Sequence, residues 1–76
     1  MRKVEIGRIY RHFKNKLYLV EDIALDCETL NEKVVYRALY GSNQLWIRDK
    51  EDFLAEVGDR KDNITNQKFR FELFEE

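Results

Sequence analysis

Val34-Val35-Tyr36-Arg37-Ala38-Leu39-Tyr40-Gly41-Ser42-Asn43-Gln44-Leu45-Trp46-Ile47-Arg48 is the stretch on which the fold turns. It holds the only Trp, two of the four Tyr and the densest run of β-branched and aromatic residues. Such side chains fit a pleated, half-buried surface. The polar tetrad Gly41 to Gln44 splits the stretch into two apolar runs, which predicts a β-hairpin with a short glycine-led loop.

The flanking segments look like the rest of one small β fold. Upstream, residues 6–13 predict a first strand and Lys14-Asn15-Lys16 a tight turn. Asn15 is the residue there that best tolerates a left-handed backbone. Residues 17–25 predict a second strand, apolar on both sides except at Glu21-Asp22, where a bulge or bend is expected. Residues 26–33 form a polar connection to the hairpin.

Downstream, Asp49 is placed to cap a short helix whose stripe is Phe53, Leu54 and Val57, with Gly58 as its stop. Glu51 and Asp52 favour the positive end of that helix. Residues 58–66 read as a loop. Phe69, Phe71 and Leu73 then alternate with Lys68, Arg70 and Glu72, which predicts a final strand with one buried and one wet face.

At 76 residues without a composition break, residues 1–76 are expected to form a single small β-barrel domain with a modest stability margin. Five short strands with one short helix before the last is the element order of a small SH3-like barrel or roll. There the final strand closes against the first. A two-layer α+β sandwich fits the periodicity as well.

Net charge is −1, yet the charges are grouped: residues 2–16 carry six Lys/Arg against Glu5, and residues 17–32 carry five acids and no Lys/Arg. The near-neutral total removes the bulk argument for nucleic acid, while the basic arm keeps a local one. Pairing between the two segments is the simpler expectation. The single cysteine, Cys27, excludes an internal disulfide framework and fits a cytoplasmic location. No apolar run approaches a membrane span, and residues 1–5 lack the apolar core of a signal peptide.

Tyr10-Arg11-His12-Phe13-Lys14, Ile23-Ala24, Glu28-Thr29, Val34 to Gly41, Leu45-Trp46-Ile47-Arg48 and Phe53 together resemble the bacterial family of domain of unknown function 1653. The resemblance runs from about Ile9 to Phe53 and thins out beyond. It implies a small SH3-like barrel and supplies no activity. Asp26 stands where the family commonly has His, so a role for that histidine does not transfer. Asp49 stands where it commonly has Pro, and Asp caps a helix well.

Enzyme chemistry finds little support. His12 is the only histidine, so no Cys/His zinc set and no multi-histidine site exists. Arg11 and Lys14 beside it predict a neutral imidazole near pH 7. Cys27 lies between Asp26 and Glu28, which disfavours a thiolate. The pairs Glu21-Asp22 and Glu51-Asp52 are explained by strand alternation and helix capping. Three scattered glycines make no phosphate loop, so neither a cofactor nor a metal is expected.

A surface remains as the candidate site. If Val34, Tyr36, Ala38 and Tyr40 face the core, Arg37 faces out. With Leu45 and Ile47 inward, Trp46 and Arg48 face out. With Ile9 and Phe13 inward, Arg8, Tyr10 and His12 face out. The six residues Arg8, Tyr10, His12, Arg37, Trp46 and Arg48 would then mix aromatic rings with guanidinium groups, a combination that anchors peptides or stacks bases. The alternative packs Trp46 under the helix stripe and pairs Arg37 and Arg48 with the acidic second strand. The favoured function is a non-enzymatic binding module for a protein segment or companion domain, with no membrane role. A nucleic-acid or nucleotide-binding module is the second.

Overall fold

Antiparallel pairing dominates the chain. The computed structural model describes residues 2–75. The elements are β1 (Ile9–His12), β2 (Lys16–Leu25), β3 (Glu32–Ala38), β4 (Leu45–Asp49), α1 (Lys50–Phe53) and β5 (Phe71–Leu73). All five strands lie in one antiparallel sheet of order β4-β3-β2-β1-β5. The final strand therefore does pair with the first, and the fold is mainly β with one short helix before the last strand.

Two of the turns form where the sequence supplies residues able to adopt a positive φ. Asn15 (φ 64°) turns β1 into β2, and its N–H donates to the His12 carbonyl. Gly41 (φ 59°) and Asn43 (φ 58°) turn β3 into β4, and the Asn43 side chain donates to the Ala38 carbonyl at 3.0 Å. In β2 the register shifts between Val20 and Asp22, so Glu21 is the extra residue of a bulge. A bulge bends its strand and adds twist.

That bending is needed, because the sheet is rolled. In a flat sheet with strands about 4.8 Å apart, rings on β3 and β5 would sit roughly 14 Å from each other. The Tyr36 and Phe71 ring centroids are 5.5 Å apart. The Arg48 guanidinium carbon, on the far edge strand, lies 5.6 Å from the Phe71 ring centroid. Inside the roll, Tyr10, Val20, Val34, Tyr36, Phe53 and Phe71 form the core, with Val4, Tyr18 and Leu54 packed against it. Phe53 from α1 stacks on Phe71 at 4.1 Å and 7°. β4 and β5 do not pair with each other, so the roll stays open along one seam.

Three local expectations are corrected. β1 presents the opposite face: Tyr10, expected outward, is 1% exposed, and its hydroxyl accepts the Glu5 N–H at 2.9 Å. Phe13 is buried too, but it lies past the end of β1, its N–H donated to the Arg70 carbonyl. Its burial therefore says nothing about the face of that strand.

β4 is reversed in the same way. Trp46 and Arg48 stand opposite Tyr36 and Val34 on the inner face, while Ile47 and Leu45 lie on the outer one. Residues directly opposite in a ladder share a face.

The helix is one turn rather than a run to Gly58. Asp49 has the extended backbone of a cap (ψ 136°) but makes no capping bond, because its carboxylate is bound to Lys33. Residues 55–57 then pair across to residues 68–70, with Arg70 N–H donating to Ala55 O at 2.9 Å and Val57 N–H to Lys68 O at 2.9 Å. These cross-chain bonds take the groups a longer helix would have used. Among the described residues no helix is long and apolar enough to cross a membrane.

Candidate aromatic and cationic binding site

The inner face of the roll carries a set of rings and cations, called the mouth below, whose members are placed by the strand register. β1 contributes His12, β2 contributes Lys16 and Tyr18, the loop after β3 contributes Tyr40, and β4 contributes Trp46 and Arg48. Tyr18 is its centre. The Tyr18 ring meets Tyr36, Tyr40 and Phe71 edge-on at centroid distances of 5.2, 5.5 and 5.7 Å. Its hydroxyl lies 2.5 Å from that of Tyr40, and Lys16 Nζ sits 4.9 Å from the Tyr40 ring centroid. Burial, then the bond to Tyr40, pushes the Tyr18 phenol well above its ordinary value. It is an uncharged hydroxyl at neutral pH.

Arg48 is held rigidly. Its Nε donates to the Tyr36 hydroxyl at 3.2 Å and its Nη1 to Asp52 Oδ2 at 2.6 Å. Burial pulls its pKa down, and the bonds to Tyr36 and Asp52 outweigh that, so the net shift is upward. Nη2 has no partner among the described residues. Arg70 approaches the same carboxylate from the other side, with Nε 3.6 Å from Asp52 Oδ1. That Nε is buried and makes no hydrogen bond among the described residues.

His12 packs on the rim, 4.9 Å from the Phe71 ring and 6.3 Å from Tyr18. Its Nδ1 accepts the Lys14 N–H at 3.1 Å, which places the proton of the neutral ring on Nε2. Burial first, then Arg48, Lys14, Arg70 and Arg60, lowers its pKa from 6.5 to about 4. Near neutrality it is a weak base with a fixed tautomer. Around it, the described ion pairs bring only Asp52 and Asp62 to these cations. The mouth is locally positive in a chain whose total charge is −1.

Of the six residues singled out from the sequence, His12, Trp46 and Arg48 line the accessible part of the inner face. The other three do not join them there. Tyr10 is in the core. Arg37 lies on the outer face, its Nε 2.5 Å from Glu21 Oε2 and its Nη1 bonded to the Asn43 carbonyl at 3.0 Å. Arg8 pairs with Glu5 and Glu75. Tyr18, Tyr36, Tyr40 and Lys16 were not singled out. Their signal is the ladder Tyr18↔Ala38 and Tyr36↔Trp46, a tertiary register that no local spacing displays.

A cleft of about 900 Å³ lies elsewhere, among Val4, Ile23, Leu30 and Leu54. Much of its charged rim is already occupied: Lys50 binds Glu32, Asp49 binds Lys33, and Arg2 donates to the Leu54 and Phe71 carbonyls. The mouth is the better site, because it keeps an unclaimed guanidinium nitrogen beside accessible rings.

Residues 8–73 match the family described as "Protein of unknown function (DUF1653)". The chain is a DUF1653 protein. No curated protein and no solved structure matches it. The family match reaches past Phe53 through β5, further than the motifs quoted from the sequence. It takes in the mouth residues of this DUF1653 chain from His12 to Phe71.

Proposed function

We propose that this DUF1653 chain is a non-enzymatic binding module that receives a protein segment or companion domain at its aromatic mouth. The observation that carries this reading is Trp46. It is 49% exposed, on the same face as Tyr36 and Arg48. A large ring left wet beside a fixed guanidinium is the kind of anchor that interfaces concentrate. The chemistry of the neighbouring groups supports a non-catalytic role. The Tyr18 phenol is held protonated, and His12 is too weak a base to work near neutrality. The exposed, unpaired Cys27 supports a reducing, cytoplasmic setting.

Tryptophan emission tests the site. Native Trp46 should emit at a red-shifted wavelength and be quenched by iodide. Trp46→Ala should leave the denaturation midpoint nearly unchanged and weaken ligand binding by roughly 1–3 kcal/mol. A blue-shifted, protected emission would remove the mouth from consideration. The mixture of rings and cations also suits nucleic acid, the second reading. That reading requires an affinity for oligothymidylate that falls steeply with salt, since phosphate contacts release counterions.

A further inference from the structure

The backbone of β4 carries the argument beyond the mouth. Ala38 N–H donates to Gln44 O at 2.9 Å, which makes 38/44 a hydrogen-bonded pair. Antiparallel ladders alternate bonded and non-bonded pairs, so 36/46 and 34/48 are bonded, and 35/47 and 37/45 are not. The N–H and C=O groups of Leu45 and Ile47 therefore point away from β3 toward the open seam. The Leu45 carbonyl receives the Gln44 side-chain amide at 3.2 Å. No bond reaches the Ile47 N–H or C=O among the described residues.

The other edge is covered at its start. Arg2 donates to the Phe71 carbonyl, and residues 55–57 bridge to residues 68–70 just before β5. β4 is also apolar where it is open, with Ile47 65% and Leu45 39% exposed. Edges are normally blunted by charge, by a bulge or by a covering segment. The outer face of β4 has none of these at Leu45 and Ile47.

We propose that the ligand is an acidic, extended peptide segment that adds to β4 as a sixth strand; this rests on the mouth being a protein-binding site. Side chains of an added strand alternate between the two faces. One set would lie beside Leu45 and Ile47 and be apolar. The other would lie beside Trp46 and Arg48, on the face where cations exceed their carboxylates. A carboxylate there meets the unclaimed Nη2 of Arg48. Unpaired backbone groups beside the mouth favour a polypeptide over a nucleic acid, which has no strand to pair.

Random linear dodecapeptides displayed on phage, selected against the intact protein, supply the probe. Enriched peptides should alternate Asp or Glu with apolar residues and lack Pro in the binding segment. Bound peptide should slow hydrogen exchange of the Ile47 amide at least about tenfold, a shift of 1.4 kcal/mol. N-methylating alternate residues of the peptide should abolish binding in one phase and spare it in the other. Arg48→Gln, with an otherwise unchanged amide spectrum, should weaken acidic peptides about tenfold, within the range of charge-assisted bonds.

Enriched peptides without acids overturn the proposal, as does a failure to enrich any. Peptides that shift Trp46 emission but leave the Ile47 amide unprotected overturn strand addition while leaving the mouth as a binding site. Sedimentation showing that a second copy occupies the edge, or oligothymidylate binding where peptides fail, would overturn it as well.

Discussion

His12 shows how one side chain can carry a pH signature through its packing alone. Protonating it would remove the acceptor for Lys14 N–H and add a cation among Arg48, Lys14, Arg70 and Arg60. The unfolded chain takes up this proton near 6.5, while the folded chain waits until about 4. Between those values the unfolded state binds more protons. The contribution of His12 is thus fully present above 6.5 and is lost as pH falls toward 4. Urea midpoints should drop more between pH 7 and 5 for the wild type than for His12→Gln. Equal drops would mean that the ring is as solvated as in the unfolded chain. Phe71 is the other decisive side chain. It is fully buried, stacked on Phe53 and edge-on to Tyr18, Tyr36 and His12. Phe71→Ala should cost on the order of 3–5 kcal/mol. A melting temperature lowered by only a degree or two would contradict its place in the core.

At the scale of elements, the strands were legible and the faces of two of them, β1 and β4, were not. Alternation and turn residues locate β3, β4 and the Asn15 turn, and the acidic pair marks the β2 bulge. Facing fails in β1 and β4 because both sides of each strand carry apolar side chains. Ile9 competes with Tyr10, and Leu45 with Ile47 competes with Trp46. Aliphatic count favours the wrong side in each case. What decides is the ladder to β2 and β3, together with a backbone N–H from Glu5 that lets the Tyr10 hydroxyl be buried at little cost. The candidate site inherits the same error. His12, Trp46 and Arg48 are found together, but with the tyrosines of the inner face rather than with Arg8 and Arg37. Ile47→Ala tests the β4 assignment directly. On the outer, largely exposed face it should change stability by less than about 0.5 kcal/mol. An inward Ile47 would instead cost roughly 2–5 kcal/mol.

For the whole molecule, the question is what keeps an open roll closed enough to have a core. The answer lies in the last ten residues. β5 pairs with β1 through Tyr10↔Leu73, Arg11↔Glu72 and His12↔Phe71. Gln67, just upstream and buried, accepts from Arg11 Nε at 2.9 Å and donates to the Arg11 carbonyl at 3.0 Å. Phe71 then reaches across the interior to rings from β2, β3 and α1. Ending the chain after Asn66 would delete all three ties at once. It would expose Tyr10, Tyr36 and Phe53, and remove the Gln67 partner of the half-buried Arg11. Losing Phe71 alone is worth on the order of 3–5 kcal/mol, and a domain of this size sits near the low end of roughly 5–15 kcal/mol. The truncated chain should therefore show no sigmoidal melt and should bind a dye for exposed apolar surface. A cooperative melt near the full-length midpoint would mean that β1 to β4 and α1 hold the core unaided, and that β5 merely lines an edge.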